Sequence, residues 1–96
     1  MQPPEPCYLV EWYSPTLLGR TLAQTAEILD ATAASLSADG DPVRVSSLIA
    51  VPEDEVVFAI FVAGSASAVS RTCDRAGFPA QRLTAATDVE LAQHDP

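Results

Sequence analysis

The sequence predicts one α+β domain in which two helices cover one face of a four-stranded antiparallel sheet. The chain has 96 residues, a length that suits a single domain. Four short segments are rich in β-branched and aromatic residues, and two others carry apolar residues at helical spacing. Turn residues separate these six segments, which follow one another in the order βαββαβ.

The first two elements are a strand and a long helix. Cys7 to Tyr13 is expected to form the first strand and to stop at Ser14-Pro15. Thr21 to Ala38 is expected to form the first helix, which Gly40 and Pro42 end. The predicted apolar stripe of this helix consists of Leu22, Ala26, Leu29, Ala33 and Leu36.

Three more strands and a second helix follow. The strands are predicted at Val43 to Val51, Val56 to Ala63 and Gln81 to Thr87, with a turn at Pro52 to Glu55. Ser65 is the expected N-cap of the second helix, and Gly77 with Pro79 ends it. Its predicted apolar side consists of Ala66, Val69, Cys73 and Ala76.

With short connections and right-handed crossovers, this order gives a ferredoxin-like split βαβ sandwich with strand order 4-1-3-2. Both helices then lie on the same face of the sheet. We expect the domain to span residues 7–88, between an extended proline-rich arm at 1–6 and an acidic flexible tail at 89–96.

Charge and composition exclude several classes of partner. The net charge is −8 and lysine is absent, which argues against nucleic acid and anionic membranes as partners. The longest apolar run, Val56 to Ala63, is shorter than the roughly 20 residues of a membrane span. No basic segment precedes an apolar core at Met1, so we expect a cytoplasmic protein with Cys7 and Cys73 as free thiols.

The third strand predicts assembly, because it is apolar on both sides whereas two helices cover only one face of a sheet. We expect a homodimer formed through the sheet, with either Phe58 and Ile60 or Phe61 facing the partner. A ligand cleft and an exposed apolar patch remain as alternatives.

Five segments fall in a familiar order: Tyr8 to Glu11, Val51 to Glu55, Phe61 to Ala63, Ala68-Val69 and Arg75 to Pro79. In these segments the chain resembles a family of small bacterial ferredoxin-like proteins of largely unknown function, one branch of which is called nickel-binding. The resemblance covers about Tyr8 to Thr87. It implies a dimeric ferredoxin-like fold and, through that branch, a divalent metal such as nickel as cofactor.

The candidate metal ligands are few. Many relatives carry a histidine before the Arg-Ala-Gly helix ending, where this chain has Cys73, and its one histidine, His94, falls in the predicted tail. The topology brings the acidic turn and the end of the second helix to one end of the sheet. The candidate ligands there are Cys73, Asp74, Glu53 and Glu55. The alternative is a solvated turn whose carboxylates pair loosely with Arg75 and Arg82, and we expect divalent cations to bind at about millimolar affinity.

Glu11 is the most informative candidate for ligand binding. It alternates with Leu9 and Tyr13, while Trp12 points to the other face of the same strand. A carboxylate on a central strand either meets a ligand, as proton acceptor or orienting group, or pairs with an arginine such as Arg44 or Arg82. The candidate ligand-binding residues are Glu11, Trp12 and Phe58.

Three functions fit these residues. The first is a non-catalytic dimeric module that binds a small ligand or a metal ion. The second is a small-molecule enzyme of the dimeric α+β barrel type with Glu11 as proton acceptor, and the third is a structural or regulatory subunit. The sequence contains no glycine-rich phosphate loop, no Ser-His-Asp set and no paired-cysteine metal motif, which weighs against the second.

Overall fold

The computed structural model of the chain describes residues 6–13 and 21–87. Within them the predicted element order is confirmed, and no boundary moves by more than one residue. The elements are β1 (Cys7–Trp12), α1 (Leu22–Ala38), β2 (Val43–Val51), β3 (Val56–Ala63), α2 (Ala66–Ala76) and β4 (Arg82–Ala86). The predicted arm, the turn after β1 and the tail with His94 lie at least in part outside the described residues.

The four strands form one antiparallel sheet in the order β2-β3-β1-β4, which confirms the predicted 4-1-3-2 arrangement. β1 lies in the interior of the sheet, with Glu11 opposite Phe58 of β3 on one side and opposite Arg82 of β4 on the other. The fold is therefore α+β and ferredoxin-like. No helix among the described residues is long and apolar enough to cross a membrane.

Side chains and glycines fix both helices at their ends. Thr21 and Gln24 form a capping box at the start of α1, and the Ser65 hydroxyl accepts the Ala68 N–H at the start of α2. Gly40 follows α1 with φ of 101°, and Gly77 ends α2 with φ of 88°. Both angles lie in the region that only glycine occupies without strain, so the predicted helix endings are confirmed.

The buried stripes of the helices differ from the predicted ones in one residue at the start of each helix and in one threonine of each helix. Leu22 is 40% exposed and Ala66 is exposed, whereas Thr25 and Thr72 are buried. These threonines enter the core because their hydroxyls bond to carbonyls four residues earlier, Thr25 to Thr21 O at 3.4 Å and Thr72 to Ala68 O at 2.9 Å. The Leu22 and Ala66 predictions were therefore wrong.

The two faces of the sheet have different surroundings. One, which we name the helix-covered face, packs against both helices and carries Val10, Trp12, Val43, Val57, Ala59, Phe61 and Ala63. The other, which we name the open face, is covered by no described element. It carries Cys7, Leu9 and Glu11 of β1, Arg44, Ser47, Ile49 and Val51 of β2, Val56, Phe58, Ile60 and Val62 of β3, and Arg82, Thr84 and Ala86 of β4.

A bulge explains why the apolar pattern of β2 changes phase along the strand. The pairing with β3 shifts between Val45 and Ser47, which leaves Ser46 as an extra residue. Val43 and Val45 face the helices before the bulge, and Leu48 does so after it. Of the two predicted partner-facing positions on β3, Phe61 is fully buried beneath the helices, so only Phe58 and Ile60 belong to the open face.

Candidate functional site

Glu11 lies in the middle of the open face, on an interior strand. It is only 8% exposed although no helix covers this side of the sheet. Phe58 lies beside it on β3 and Arg82 on β4. A carboxylate this deeply buried is costly unless its oxygens have partners.

Both carboxylate oxygens of Glu11 have a partner. The Tyr13 hydroxyl donates a hydrogen bond to Oε1, and the Arg82 Nε lies 3.5 Å from Oε2. The predicted ion pair with an arginine is therefore confirmed, and the arginine is Arg82. Arg44 lies opposite Val62, towards the other end of the strands.

The end of β1 holds Tyr13 in place for this contact. The Gln81 N–H donates to the Glu11 carbonyl at 3.1 Å, and the Gln81 side-chain carbonyl accepts the Tyr13 N–H. Gln81, just before β4, thus holds the end of β1 in position. The Tyr13 phenol lies back over the carboxylate of Glu11, two residues earlier in the chain. Tyr13 remains 47% exposed.

The Tyr13 hydroxyl acts as a donor at neutral pH. Its hydrogen bond to Glu11 raises the pKa of the phenol above the ordinary 10.0. Desolvation and the negative charge of Glu11 raise this pKa further, whereas Arg82 lowers it. The phenol keeps its proton, so the group at the centre of the open face consists of a carboxylate, a neutral phenol and a guanidinium.

Apolar side chains continue the same row across the sheet. Phe58 is half-buried beside Glu11, and Ile49 of β2 follows Phe58 with 50% of its surface exposed. Leu9 and Ile60 form the next row, and both are half-buried. A single chain thus presents to solvent a row of apolar side chains beside the Glu11–Arg82 ion pair.

The predicted ligand-binding residue Trp12 does not belong to this site. It is 2% exposed on the helix-covered face, where its indole N–H donates to the Phe78 carbonyl at 2.8 Å. Trp12 ties the chain that follows α2 to β1. Of the three predicted residues, the structure places Glu11 and Phe58 side by side and Trp12 in the core.

Cys73 is unsuited to metal binding in the folded chain. It is fully buried in the core on α2, and burial raises the pKa of its thiol to about 12, with the charge of Asp74 acting in the same direction. Metals bind the thiolate, which such a site disfavours. The other cysteine, Cys7, is also a free thiol and donates to the Ala86 carbonyl at 3.2 Å.

Among the described residues the acidic turn between β2 and β3 forms no metal-binding cluster with the end of α2. Pro52–Asp54 forms one turn of 3-10 helix, and Glu55 follows in the left-handed region with φ of 52°. Arg75 pairs with Asp39 at 3.8 Å instead of with this turn. In residues 6–13 and 21–87, no three histidine, cysteine or acidic side chains converge as a metal site requires. Cys73, Asp74, Glu53 and Glu55 are therefore not brought together.

A groove of about 430 Å³ lies at the opposite end of the strands from Glu11. Pro6, the loop at Pro42 and the adjoining ends of β2 and β3 line it. The Ser37 hydroxyl in its wall already donates to the Val43 carbonyl at 2.9 Å and accepts the Val43 N–H at 3.1 Å. Among the described residues that line it, the walls are mostly apolar, and the polar members Ser37 and Arg44 are exposed.

Sequence reasoning placed Tyr13 on the correct face but missed its contact with Glu11, and it missed Gln81 altogether. The alternation along β1 gives the face, and the spacing of two between Glu11 and Tyr13 is a signal that the two side chains are neighbours. Gln81 carries no such signal, because its role depends on how the chain returns from α2 to the sheet.

Comparison with known proteins identifies the fold. No protein-family model matches this chain, and no curated protein matches it. The crystal structure of SCO4226 from Streptomyces coelicolor A3(2) is similar, with a TM-score of 0.61 and 21% sequence identity. The match covers 90% of this chain and 98% of that one. The likeness shows the fold alone.

Proposed function

We propose that this protein is a non-catalytic cytoplasmic homodimer that pairs through the open face and holds a small ligand beside Glu11. One observation carries the proposal: on the open face, half-buried apolar side chains surround a buried carboxylate that contacts Tyr13 and Arg82. Monomers rarely leave a contiguous apolar patch of more than a few hundred Å² in water. The resemblance to the small bacterial ferredoxin-like family is in keeping with a dimer.

Charge favours a second copy of the same chain as the partner. The strand residues of the open face include two arginines, Arg44 and Arg82, and one carboxylate, Glu11, a formal charge of +1. The whole chain carries −8. Two such chains repel one another through their net charge, and the described strand residues of the open face add no net negative charge to that repulsion. A twofold axis would then pair this face with itself.

A binding role is better supported than catalysis. A general base needs a carboxylate oxygen free to accept the substrate proton, within hydrogen-bond reach. In this chain Tyr13 occupies one oxygen of Glu11 and Arg82 lies beside the other. A metal-binding role lacks support among the described residues, because no set of ligands converges there.

Native mass spectrometry of the full chain, purified without a metal-affinity tag, tests the proposal. We expect a species of twice the 10.1 kDa chain mass, without stoichiometric nickel. A chain that remains monomeric at micromolar concentration would contradict the dimer. Stoichiometric nickel of micromolar or tighter affinity, lost in Cys73→Ser, would contradict the proposed ligand class and favour the metal instead.

A further inference from the structure

We infer that the ligand is a small organic anion with an elongated apolar body, and that the guanidinium of Arg82 holds its charged end. This inference rests on the proposed function, since the paired open faces would enclose the apolar body, and it names the chemistry of the ligand. The observations that carry it are the engagement of Glu11, the exposure of Arg82 and the apolar row that leads away from both.

The charge of Glu11 is already compensated within the chain. Tyr13 donates to Oε1, Arg82 lies 3.5 Å from Oε2, and the residue is only 8% exposed. A cationic ligand would have to displace Arg82 before it could reach the carboxylate. Among the described strand residues of the open face Glu11 is the one carboxylate, so these residues offer a cation no unpaired negative charge.

Arg82, in contrast, keeps donors available. A guanidinium has five N–H donors in a planar fork that matches a carboxylate with two parallel hydrogen bonds. Among the described residues Arg82 forms an ion pair with Glu11 through Nε. Two thirds of the side chain, 66%, is still exposed. Since Nε faces Glu11, the terminal nitrogens of this exposed side chain are available as charged donors at this end of the open face.

A row of side chains leads from Arg82 across the sheet, and beyond Glu11 this row is apolar. The row runs from β4 over Glu11 and Phe58 to Ile49 on β2, and Ile49 is 50% exposed. Three strand spacings of about 4.8 Å make this row about 14 Å long from Arg82 to Ile49. Leu9 and Ile60 flank it in the next row. An unbranched carboxylate with its head at Arg82 would lay its chain along this row, under the sheet of the second protomer.

Isothermal calorimetry on the untagged full chain distinguishes the charge of the ligand. Decanoate, decanol and decylamine share one apolar chain and differ in the head group. We expect decanoate to bind at least tenfold more tightly than either of the others. Equal affinities, or a preference for decylamine, would overturn the inference.

Substitutions locate the head group. Arg82→Gln should weaken decanoate binding at least tenfold, and Arg82→Lys should retain part of it because the charge stays but the planar fork is lost. Arg75→Gln is the matched control, since Arg75 is also 56% exposed and also lies in a loose ion pair, at 3.8 Å, but on the helix layer. Equal effects of Arg82→Gln and Arg75→Gln would show a general charge effect and overturn the inference.

Glu11→Gln provides a test of opposite sign. It preserves the shape of the side chain and removes the anion that competes for Arg82, so decanoate should bind at least as tightly as to the wild type. A tenfold loss would contradict the inference. Sedimentation of the same samples separates the two proposals: a dimer without preference for decanoate overturns this inference alone, whereas a monomer overturns the proposed function.

Discussion

The two faces of this sheet have nearly the same apolar character along β3 but opposite surroundings. Val57, Ala59 and Phe61 are all buried beneath α1 and α2. Their neighbours Phe58 and Ile60 point the other way and remain half-buried in a single chain. Hydrophobicity thus determines which side chains are more stable when buried. The topology determines which face of the sheet the helices of the same chain bury.

The largest difference in unfolding between the two faces is expected for two phenylalanines of β3, one on each face. Phe61→Ala removes a fully buried ring from the core and should lower the free energy of unfolding by about 3–5 kcal/mol. Phe58→Ala acts on the open face, so its cost should arise through the dimer. Urea denaturation at two protein concentrations tells the two apart.

The concentration dependence is the decisive part of that experiment. Association with a partner raises the unfolding midpoint as protein concentration rises. We expect this dependence in the wild type and in Phe61→Ala, and its loss in Phe58→Ala. Midpoints that are independent of concentration in all three proteins would show that the open face is no interface.

The buried thiol of Cys73 on α2 should make the free energy of unfolding depend on pH in the alkaline range. Burial raises the pKa of Cys73 from 9.0 to about 12, so the folded chain keeps the proton that the unfolded chain releases. This stabilisation is complete below pH 9 and is lost as pH rises towards 12, at up to about 1.4 kcal/mol per pH unit.

Urea denaturation between pH 8 and 10.5 checks this expectation. The wild type should lose more stability over that interval than Cys73→Ala, in which the remaining ionisable groups are the same. An equal loss in both proteins would mean that Cys73 does not hold its proton in the folded state.

A substitution at the start of α2 should destabilise the helix layer and leave the open face unchanged. Ser65→Ala removes the hydroxyl that accepts the Ala68 N–H and should cost about 1 kcal/mol. The dimer should persist, because Ser65 belongs to the helix layer. Thermal unfolding followed by circular dichroism, with sedimentation alongside, checks both statements. Dissociation in Ser65→Ala would show that the two faces are not independent.

The smallest effect is expected at the outer surface of the helices. Arg71 pairs with Asp41 at 2.7 Å, and both side chains are more than 40% exposed. Arg71→Gln should therefore change the free energy of unfolding by about 0.2–1 kcal/mol. A loss above about 2 kcal/mol in chemical denaturation would assign this ion pair a larger part in holding α2 than its exposure suggests.

Local signals were sufficient to predict the fold. Strand and helix boundaries follow from residue types and from glycines such as Gly77, whose positive φ the structure confirms. The buried stripes of the helices were less predictable, because Thr25 and Thr72 hide their hydroxyls in local hydrogen bonds and so behave as core residues. The bulge at Ser46 also has no clear sequence signal, since it depends on how β2 pairs with β3.

The candidate site was predictable only in part. Alternation along β1 places Glu11 and Tyr13 on one face, and Arg82 was one of two arginines proposed as the ion-pair partner. The choice between Arg82 and Arg44 depends on strand register, which the sequence does not specify at single-residue resolution. A predicted position at the same end of the fold was likewise insufficient to make Cys73, Asp74, Glu53 and Glu55 converge as a set of metal ligands.

The central claim is that the open face is a protein interface, and velocity sedimentation of two aspartate variants tests it most directly. Ile49 is 50% exposed on the open face and Leu22 is 40% exposed on α1, so each substitution places the same charge at a similarly exposed apolar position. We predict that the wild type and Leu22→Asp sediment as dimers at micromolar concentration and that Ile49→Asp sediments as a folded monomer. The same sedimentation coefficient for all three proteins would contradict this account.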